Sequence, residues 1–224
     1  AASDVYKRQN TDVCKFNYLG KGYFLKEYLF VNLKKHVKVL WRGGKLTKIA
    51  RQLELCGFHT PPVVGIGRKR MRRRVITEAV ENVRDVSDVL FPQEGEIHSD
   101  ADDSFLLEFG RVVGRLHQRR FFHGDLRWRN VLTRLEVDGW TFYFIDNDRT
   151  RRYRFGLPFR CRVKNLSQIL FSGRLLDWPE QDWQIFLQGY SEASGLSVTS
   201  LNKLVSKVET RVDKRSKARE SRSN

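Results

Sequence analysis

Apolar positions change their period along this chain, and each change marks an element. Val13 to Leu19 and Tyr23 to Val31 are β-rich runs around Gly20-Lys21-Gly22, which predicts a hairpin. In the second run Tyr23, Leu25 and Glu27 share one face, while Phe24, Lys26 and Tyr28 share the other. Lys45 to Cys56 switches to helical spacing, with Leu46, Ile49, Leu53 and Cys56 on one side. Gly57 stops that helix and Pro61-Pro62 enforce an extended exit. Val63 to Ile66 and Val75 to Thr77 predict a second hairpin with its tip at Arg68 to Arg74. A short helix follows at Asp85 to Leu90, then an acidic loop at Pro92 to Asp103. Phe105, Phe109, Val112, Val113 and Leu116 predict a helix from about Ser104 to Arg120. A strand starting at Asn130 and a second at Trp140 to Ile145 meet at the turn Asp138-Gly139. Helices follow at Val163 to Leu170 and Asp182 to Tyr190, broken at Trp178-Pro179. Leu201, Leu204, Val205, Val208 and Val212 form a last amphipathic helix, expected to run into a disordered basic tail at 214–224. The predicted strands are densest toward the start of the chain and the helices toward its end, an α+β composition.

The segment entering the third hairpin carries the candidate chemistry. It reads H-G-D-L-R-W-R-N-V-L at 123–132, with Asp125 five residues before Asn130 and Asp146 at the end of the following strand. An aspartate can accept a hydroxyl proton and orient the attacking oxygen. An amide oxygen and a second carboxylate are hard donors of the kind Mg2+ takes alongside water and nucleotide phosphates. Arg127 is suited to neutralising charge on a moving phosphoryl group. Turn capping explains a lone Asp146, but not the ordered set of Asp125, Asn130, hairpin and Asp146. His117 and His123 lack a third ligand at metal spacing, so His123 is expected to pack and hydrogen-bond the loop.

Charge sharpens this picture. There are 42 Lys and Arg against 26 Asp and Glu, a formal net charge of +16. An anionic partner is implied: nucleic acid, an acidic membrane surface or a phosphorylated substrate. Every residue from Arg68 to Arg74 except Met71 is basic, and Arg149, Arg151, Arg152, Arg154, Arg160 and Arg162 follow Asp146. Cys14, Cys56 and Cys161 form neither a disulfide framework nor a zinc spacing, which fits a reducing compartment. No apolar run approaches the roughly 20 residues that span a bilayer. Residues 1–9 lack an initiator Met, and S-D-V-Y-K-R-Q resembles translated adapter read-through. They are expected to be non-native, with the protein's own N-terminus lying earlier.

The 123–132 stretch with Asp146 resembles the catalytic loop and metal aspartate of the protein-kinase-like fold. More closely, the chain is similar to the lipopolysaccharide core kinases that phosphorylate Kdo or heptose. The likeness runs from about Tyr23 to Tyr190. It is carried by Y-F-L-K-E-Y at 23–28, L-C-G-F-H-T-P-P at 55–62, V-I-T-E-A at 75–79, the loop, F-I-D-N-D-R at 144–149 and L-P-F-R-C-R-V-K-N-L at 157–166. The resemblance implies a two-lobed fold, with a truncated β-rich lobe over 10–78 and a mainly helical lobe over 79–213. It makes Lys26 the lysine on the ATP phosphates, and Glu78 and Ala79 the hinge whose backbone meets adenine. Asp125 becomes the base, with Arg127 beside it, and Asn130 and Asp146 become the Mg2+ ligands. Asp148, Arg149, Arg152 and Arg160 are implied on the acceptor side.

Three departures stand out. The helix over 45–56 has no glutamate in its first half to pair with Lys26; Glu54 is its only carboxylate. Any phosphate-covering Gly-rich loop falls around or before residue 10. Gly124 replaces the arginine by which many regulated protein kinases read a phosphorylated activation loop, favouring a small-molecule or glycan acceptor. The expected function is ATP- and Mg2+-dependent phosphorylation of a lipopolysaccharide core or lipid A–Kdo acceptor. The expected setting is a monomer, peripheral on the cytoplasmic face of the inner membrane, with no nucleic-acid partner. The alternatives are another kinase-fold phosphotransferase, or a catalytically dead scaffold binding anionic membrane or nucleic acid.

Overall fold

The computed structural model describes residues 5–8, 11–29, 42–69, 72–92 and 103–223. The chain divides into two compact units, Ala1–Val83 with Tyr143–Asp148, and Arg84–Phe142 with Arg149–Asn224.

The first unit is a sheet with one helix. Its strands are β1 (Val5–Arg8), β2 (Thr11–Tyr18) and β3 (Lys21–Leu29); helix α1 (Arg42–Glu54) follows, then β4 (Val63–Lys69) and β5 (Arg72–Glu78). The order is β1-β2-β3-β5-β4, antiparallel throughout, with Lys26 opposite Val13 on one side and Val75 on the other. Both expected hairpins are present. Val5 to Arg8, inside the stretch set aside as non-native, pair with the edge of β2. Leu46, Ile49, Ala50 and Leu53 are the buried face of α1, and Tyr28, Val75 and Leu46 form one cluster. The helix closes with Gly57 N–H donating to Glu54 O and Phe58 N–H to Leu53 O, and buried Phe58 and Leu53 accompany the cap. Phe144 N–H then donates to His59 O and Phe58 meets Phe144 edge-on, which ties residues 143–148 to this unit.

β4 and β5 reach further into the basic tip than the apolar runs predict, and Arg68 lies opposite Arg73. Glu27 partly offsets this repulsion. It is buried on β3, at 2.5 Å from Arg72 Nη1 and 2.6 Å from Arg74 Nε. Burial pushes the Glu27 carboxyl up, but the bonds and charges of Arg74 and Arg72 outweigh burial and hold it below the usual range. The tip at 70–71, the end of the Tyr23–Val31 run, residues 9–10 of the region expected to hold or follow a Gly-rich loop, and most of the acidic loop over 92–103 lie outside the described residues.

The second unit is mainly helical. It comprises β6 (Arg84–Asp85), α2 (Val86–Leu90), α3 (Asp103–Gln118), β7 (Phe121–Phe122), β8 (Val131–Glu136), β9 (Gly139–Phe144), β10 (Arg151–Arg152), α4 (Phe159–Arg174), α5 (Glu180–Ser194) and α6 (Val198–Ser223). β6, β8 and β9 form one small sheet and β7 pairs with β10; β9 ends in the residues that belong to the first unit. α3 and α5 cross at glycines: a Cβ on Gly110 would lie 2.1 Å from Phe186 O, and one on Gly189 1.9 Å from Leu107 O. Phe105, Phe109, Phe142 and Phe186 pack beside that crossing. Trp128, 1% exposed, is wedged against Phe91 and Trp178 and anchors the loop before β8.

The tail expected to be disordered from Lys214 is helical through Ser223. Leu204, Val208 and Val212 are all fully buried, and Asp213 to Ser223 are Asp, Lys, Arg, Ala, Glu and Ser without Gly or Pro. An anchored helix continues through such good formers. Among the described residues, no helix is long and apolar enough to cross a membrane.

Candidate active site

In the first unit, β3 presents Lys26 and Tyr28 on one face. Lys26 Nζ lies 2.5 Å from Asp146 Oδ1 and 3.3 Å from Asp148 Oδ2, and Tyr28 OH donates to Asp148 Oδ1 at 2.6 Å. The ammonium also sits 5.7 Å from the Tyr28 ring centroid. One positive charge faces two carboxylates, so the cluster keeps a net negative charge that suits a divalent cation. Asp146 has φ of 58°, a left-handed conformation that Asp tolerates better than most residues. Asn147 secures the turn: its buried amide donates to Thr60 Oγ1 at 2.9 Å and to Phe144 O at 2.8 Å. The carboxylate partners of Lys26 are therefore Asp146 and Asp148. Glu54 on α1 is exposed and takes no part.

In the second unit, Asp125 ends a directional chain of donors. Arg162 Nη1 donates to Tyr190 OH at 3.0 Å, and Tyr190 OH to His117 Nδ1 at 2.9 Å. His117 Nε2 donates to Asn165 Oδ1, Asn165 Nδ2 to Gln168 Oε1, and Gln168 Nε2 to Asp125 Oδ1 at 3.2 Å. Asn165 Oδ1 can only accept, so the imidazole proton of neutral His117 sits on Nε2, and Tyr190 donates its hydroxyl hydrogen to Nδ1. His117 is fully buried; burial first, then the Arg162 charge, pulls its pKa down to about 3, so it is neutral. The same two amides seat the loop backbone, with His123 N–H donating to Asn165 Oδ1 and Leu126 N–H to Gln168 Oε1.

Gly124 has a backbone reason as well. Its φ is +85°, and a Cβ there would lie 2.6 Å from Arg149 Cβ and 2.9 Å from Arg149 O. Arg127 Nε approaches Asp125 Oδ1 to 3.0 Å as an ion pair without hydrogen-bond alignment. Asn130 is buried, and its amide nitrogen donates to Asp125 O at 2.8 Å, which leaves Oδ1 as the atom it offers a cation.

The remaining expected residues fare differently. Glu78 N–H donates to Pro62 O and Ala79 N–H to Gly22 O, so these two donors serve the sheet and are not offered to an adenine. Arg149 is exposed and lies against Gly124. Arg152 is exposed and holds its guanidinium 5.2 Å from the Phe121 ring; Arg160 is exposed. Arg162, grouped by sequence with acceptor-facing arginines, instead starts the chain to Asp125. Sequence reasoning misses Asn165, Gln168, His117, Tyr190 and Tyr28 as site residues. A signal exists for two of them, since Asn165 and Gln168 interrupt the buried face of α4 one turn apart. Among the described residues, no group of three or more His, Cys, Asp or Glu forms a metal cage. Mg2+ sites built from one or two carboxylates plus substrate phosphates need none.

No curated protein sequence matches this chain. Among solved structures, WaaP in complex with acyl carrier protein is similar at TM-score 0.70 and 20% identity, over 95% of this chain and 88% of that one. WbdD in a co-crystal with a kinase inhibitor is similar at TM-score 0.56 and 17% identity, over 91% of this chain and 44% of that one. A second WbdD structure gives 0.53 and 15%. At these identities the likeness is one of fold, and it is the protein-kinase-like fold that the motif order implies. The sequence of residues 47–190 matches the lipopolysaccharide kinase (Kdo/WaaP) family, and with that match over the greater part of its length the chain belongs to this family.

Proposed function

We propose that this protein transfers the γ-phosphoryl group of ATP to a hydroxyl of a lipopolysaccharide inner-core sugar, Kdo in first place and heptose in second. The work is done at the cytoplasmic face of the inner membrane. The observation that carries this reading is Asp125. Gln168 and Arg127 both engage its Oδ1, and among the described residues no protein hydrogen bond reaches Oδ2. Asp125 is thereby oriented but keeps one oxygen for the acceptor hydroxyl, whose proton it takes as the oxygen attacks phosphorus. Arg127 stabilises charge on the transferring group. Lys26 orients the nucleotide phosphates. Asp146 and Asp148 in the first unit, and Asn130 Oδ1 in the second, are each oxygen donors of the kind that Mg2+ prefers. Mg2+ when bound neutralises the phosphate charge. Glu78 and Ala79 can meet adenine only through carbonyl oxygens, because their N–H groups are already paired.

Exposed Arg211, Lys214, Lys217 and Arg219 on α6 support peripheral attachment to anionic lipid, at about 1 kcal/mol per basic residue near such a surface. The test is transfer of labelled phosphate from ATP to purified core glycolipids carrying Kdo alone or Kdo with heptose. Transfer to the Kdo-only acceptor supports the first choice, and transfer only with heptose present supports the second. No transfer to either acceptor, with nucleotide still bound, sinks the proposal in favour of a scaffold. Flotation with anionic and neutral vesicles at low and high salt tests the membrane arm; salt-insensitive or equal binding contradicts it.

A further inference from the structure

The last helix brings an arginine to the catalytic loop of its own unit. Leu204, Val208 and Val212 are the buried stripe of α6, and Arg215, three residues after Val212, continues that stripe with a cation. Its guanidinium carbon lies 3.7 Å from the Phe171 ring centroid. Phe171 stands one turn beyond Gln168 on α4, the residue that holds Asp125. Arg174 on α4 pairs with Asp213, two residues before Arg215, which ties this stretch of α6 to α4.

Arg215 itself is exposed and, among the described residues, makes neither an ion pair nor a hydrogen bond. Burial and the like charges of Arg127, Arg211 and Arg219 hold its pKa below the ordinary arginine value, and Asp125 is the one charge that opposes them. Packing alone does not account for this choice. A leucine would cover Phe171 without adding charge to a spot already crowded with cations. A guanidinium stacked by its face keeps its N–H edge open, which is the geometry that grips phosphate or carboxylate with two bonds.

We propose that Arg215 is an acceptor-recognition residue. Its guanidinium, stacked on Phe171 beside Asp125 and Arg127, binds an oxyanion of the acceptor, phosphate or carboxylate, and so turns the acceptor hydroxyl toward Asp125. This rests on the phosphotransfer reading above. It differs from the sequence expectation, which looked for acceptor contacts at Asp148 and in the arginine cluster from Arg149 to Arg162.

The experiment uses the full chain with Arg215→Ala and Arg215→Lys. Arg215→Ala raises the acceptor KM about tenfold and leaves the ATP KM unchanged, as loss of one binding contact requires. Arg215→Lys recovers only part, because a lysine lacks the planar fork. Removing acceptor phosphates, or amidating its carboxylates, abolishes the difference between wild type and Arg215→Ala for whichever group is bound. A readout independent of turnover is titration with inorganic phosphate, followed by NMR of the arginine Nε–H signals. A saturable shift in wild type that disappears in Arg215→Ala supports the site. An unchanged acceptor KM, or a fall in kcat alone that is equal in both variants, overturns the proposal. If the wild type transfers phosphate to no acceptor, the phosphotransfer reading fails separately. The titration then decides the anion site, and the absence of a saturable shift overturns it.

Discussion

Asp146 and Asp125 sit in different units and are held by opposite means. Asp146, with Asp148, is held by charge: Lys26 bridges both and all three side chains stay partly exposed. Asp125 has Arg127 beside it as an ion pair without hydrogen-bond alignment, and is hydrogen-bonded by neutral amides and a neutral imidazole, most of them fully buried, in a chain that runs back to Arg162. Partly exposed ion pairs are screened and rearrange readily, which suits a site that must exchange ligands at each turnover. Buried, fully satisfied hydrogen-bond chains are rigid, which suits a base that must keep one geometry. The two carboxylates therefore differ in what their loss should do.

The largest effect is expected at Asp125 itself. Asp125→Asn should cut phosphotransfer by about 10²–10⁴-fold while nucleotide affinity stays near wild type. Asp146→Asn should also weaken Mg-ATP binding, so single-turnover kinetics and nucleotide titration on both variants separate a base from a metal ligand. Equal loss of ATP affinity in both would erase the comparison.

The neutral chain makes its own pH prediction. The His117 pKa falls from about 6.5 unfolded to about 3 folded, so between those values the unfolded state binds the extra proton. Stability from this group is complete above about pH 6.5 and should decline by roughly 1.4 kcal/mol per pH unit as pH falls toward 3. Urea unfolding at neutral and acid pH should show this slope in wild type and lose it in His117→Gln. An unchanged slope in the variant would assign the acid sensitivity to other groups.

A smaller effect is expected two links nearer the base. Gln168→Leu leaves Leu126 N–H without its acceptor and Asp125 without its amide donor, at about 1–3 kcal/mol in stability. Because Asp125 loses its orientation, kcat should drop while the ATP KM holds. A variant that loses stability but keeps kcat would reduce Gln168 to a packing residue. The smallest effect belongs to the charged cluster. Tyr28→Phe removes the hydroxyl on Asp148 and should cost about 0.5–1.5 kcal/mol, read as a modest drop in melting temperature. Loss of activity as deep as in Asp125→Asn would mean that Asp148 does more than support.

Hairpins, helices and the order Asp125, Asn130, Asp146 are legible in the chain because each rests on local chemistry. Alternation over Tyr23–Tyr28, the stripe of α1 and the turn at Asp138-Gly139 each lie within a few residues. The boundaries differ where tertiary packing extends them, as in α4 and α6. The tail beyond Lys214 reads as disorder from composition alone, since nothing local reveals that Val212 is anchored against a neighbouring helix.

Residue types and spacing determine by themselves that the chain is α+β, that Asp125 precedes a strand and that Asp146 closely follows the next one. Which groups neutralise, hold or flank those carboxylates is decided only in three dimensions. Lys26 and Asp146 lie 120 residues apart in sequence, Gln168 and Asp125 43 apart, and Arg162 and Tyr190 28 apart. The absence of a helix glutamate for Lys26 is visible in the sequence; that Asp146 and Asp148 take its place is not. Periodicity reports which face of an element is apolar, whereas a hydrogen bond or ion pair between distant segments depends on register, crossing and rotamer, which only the folded chain sets.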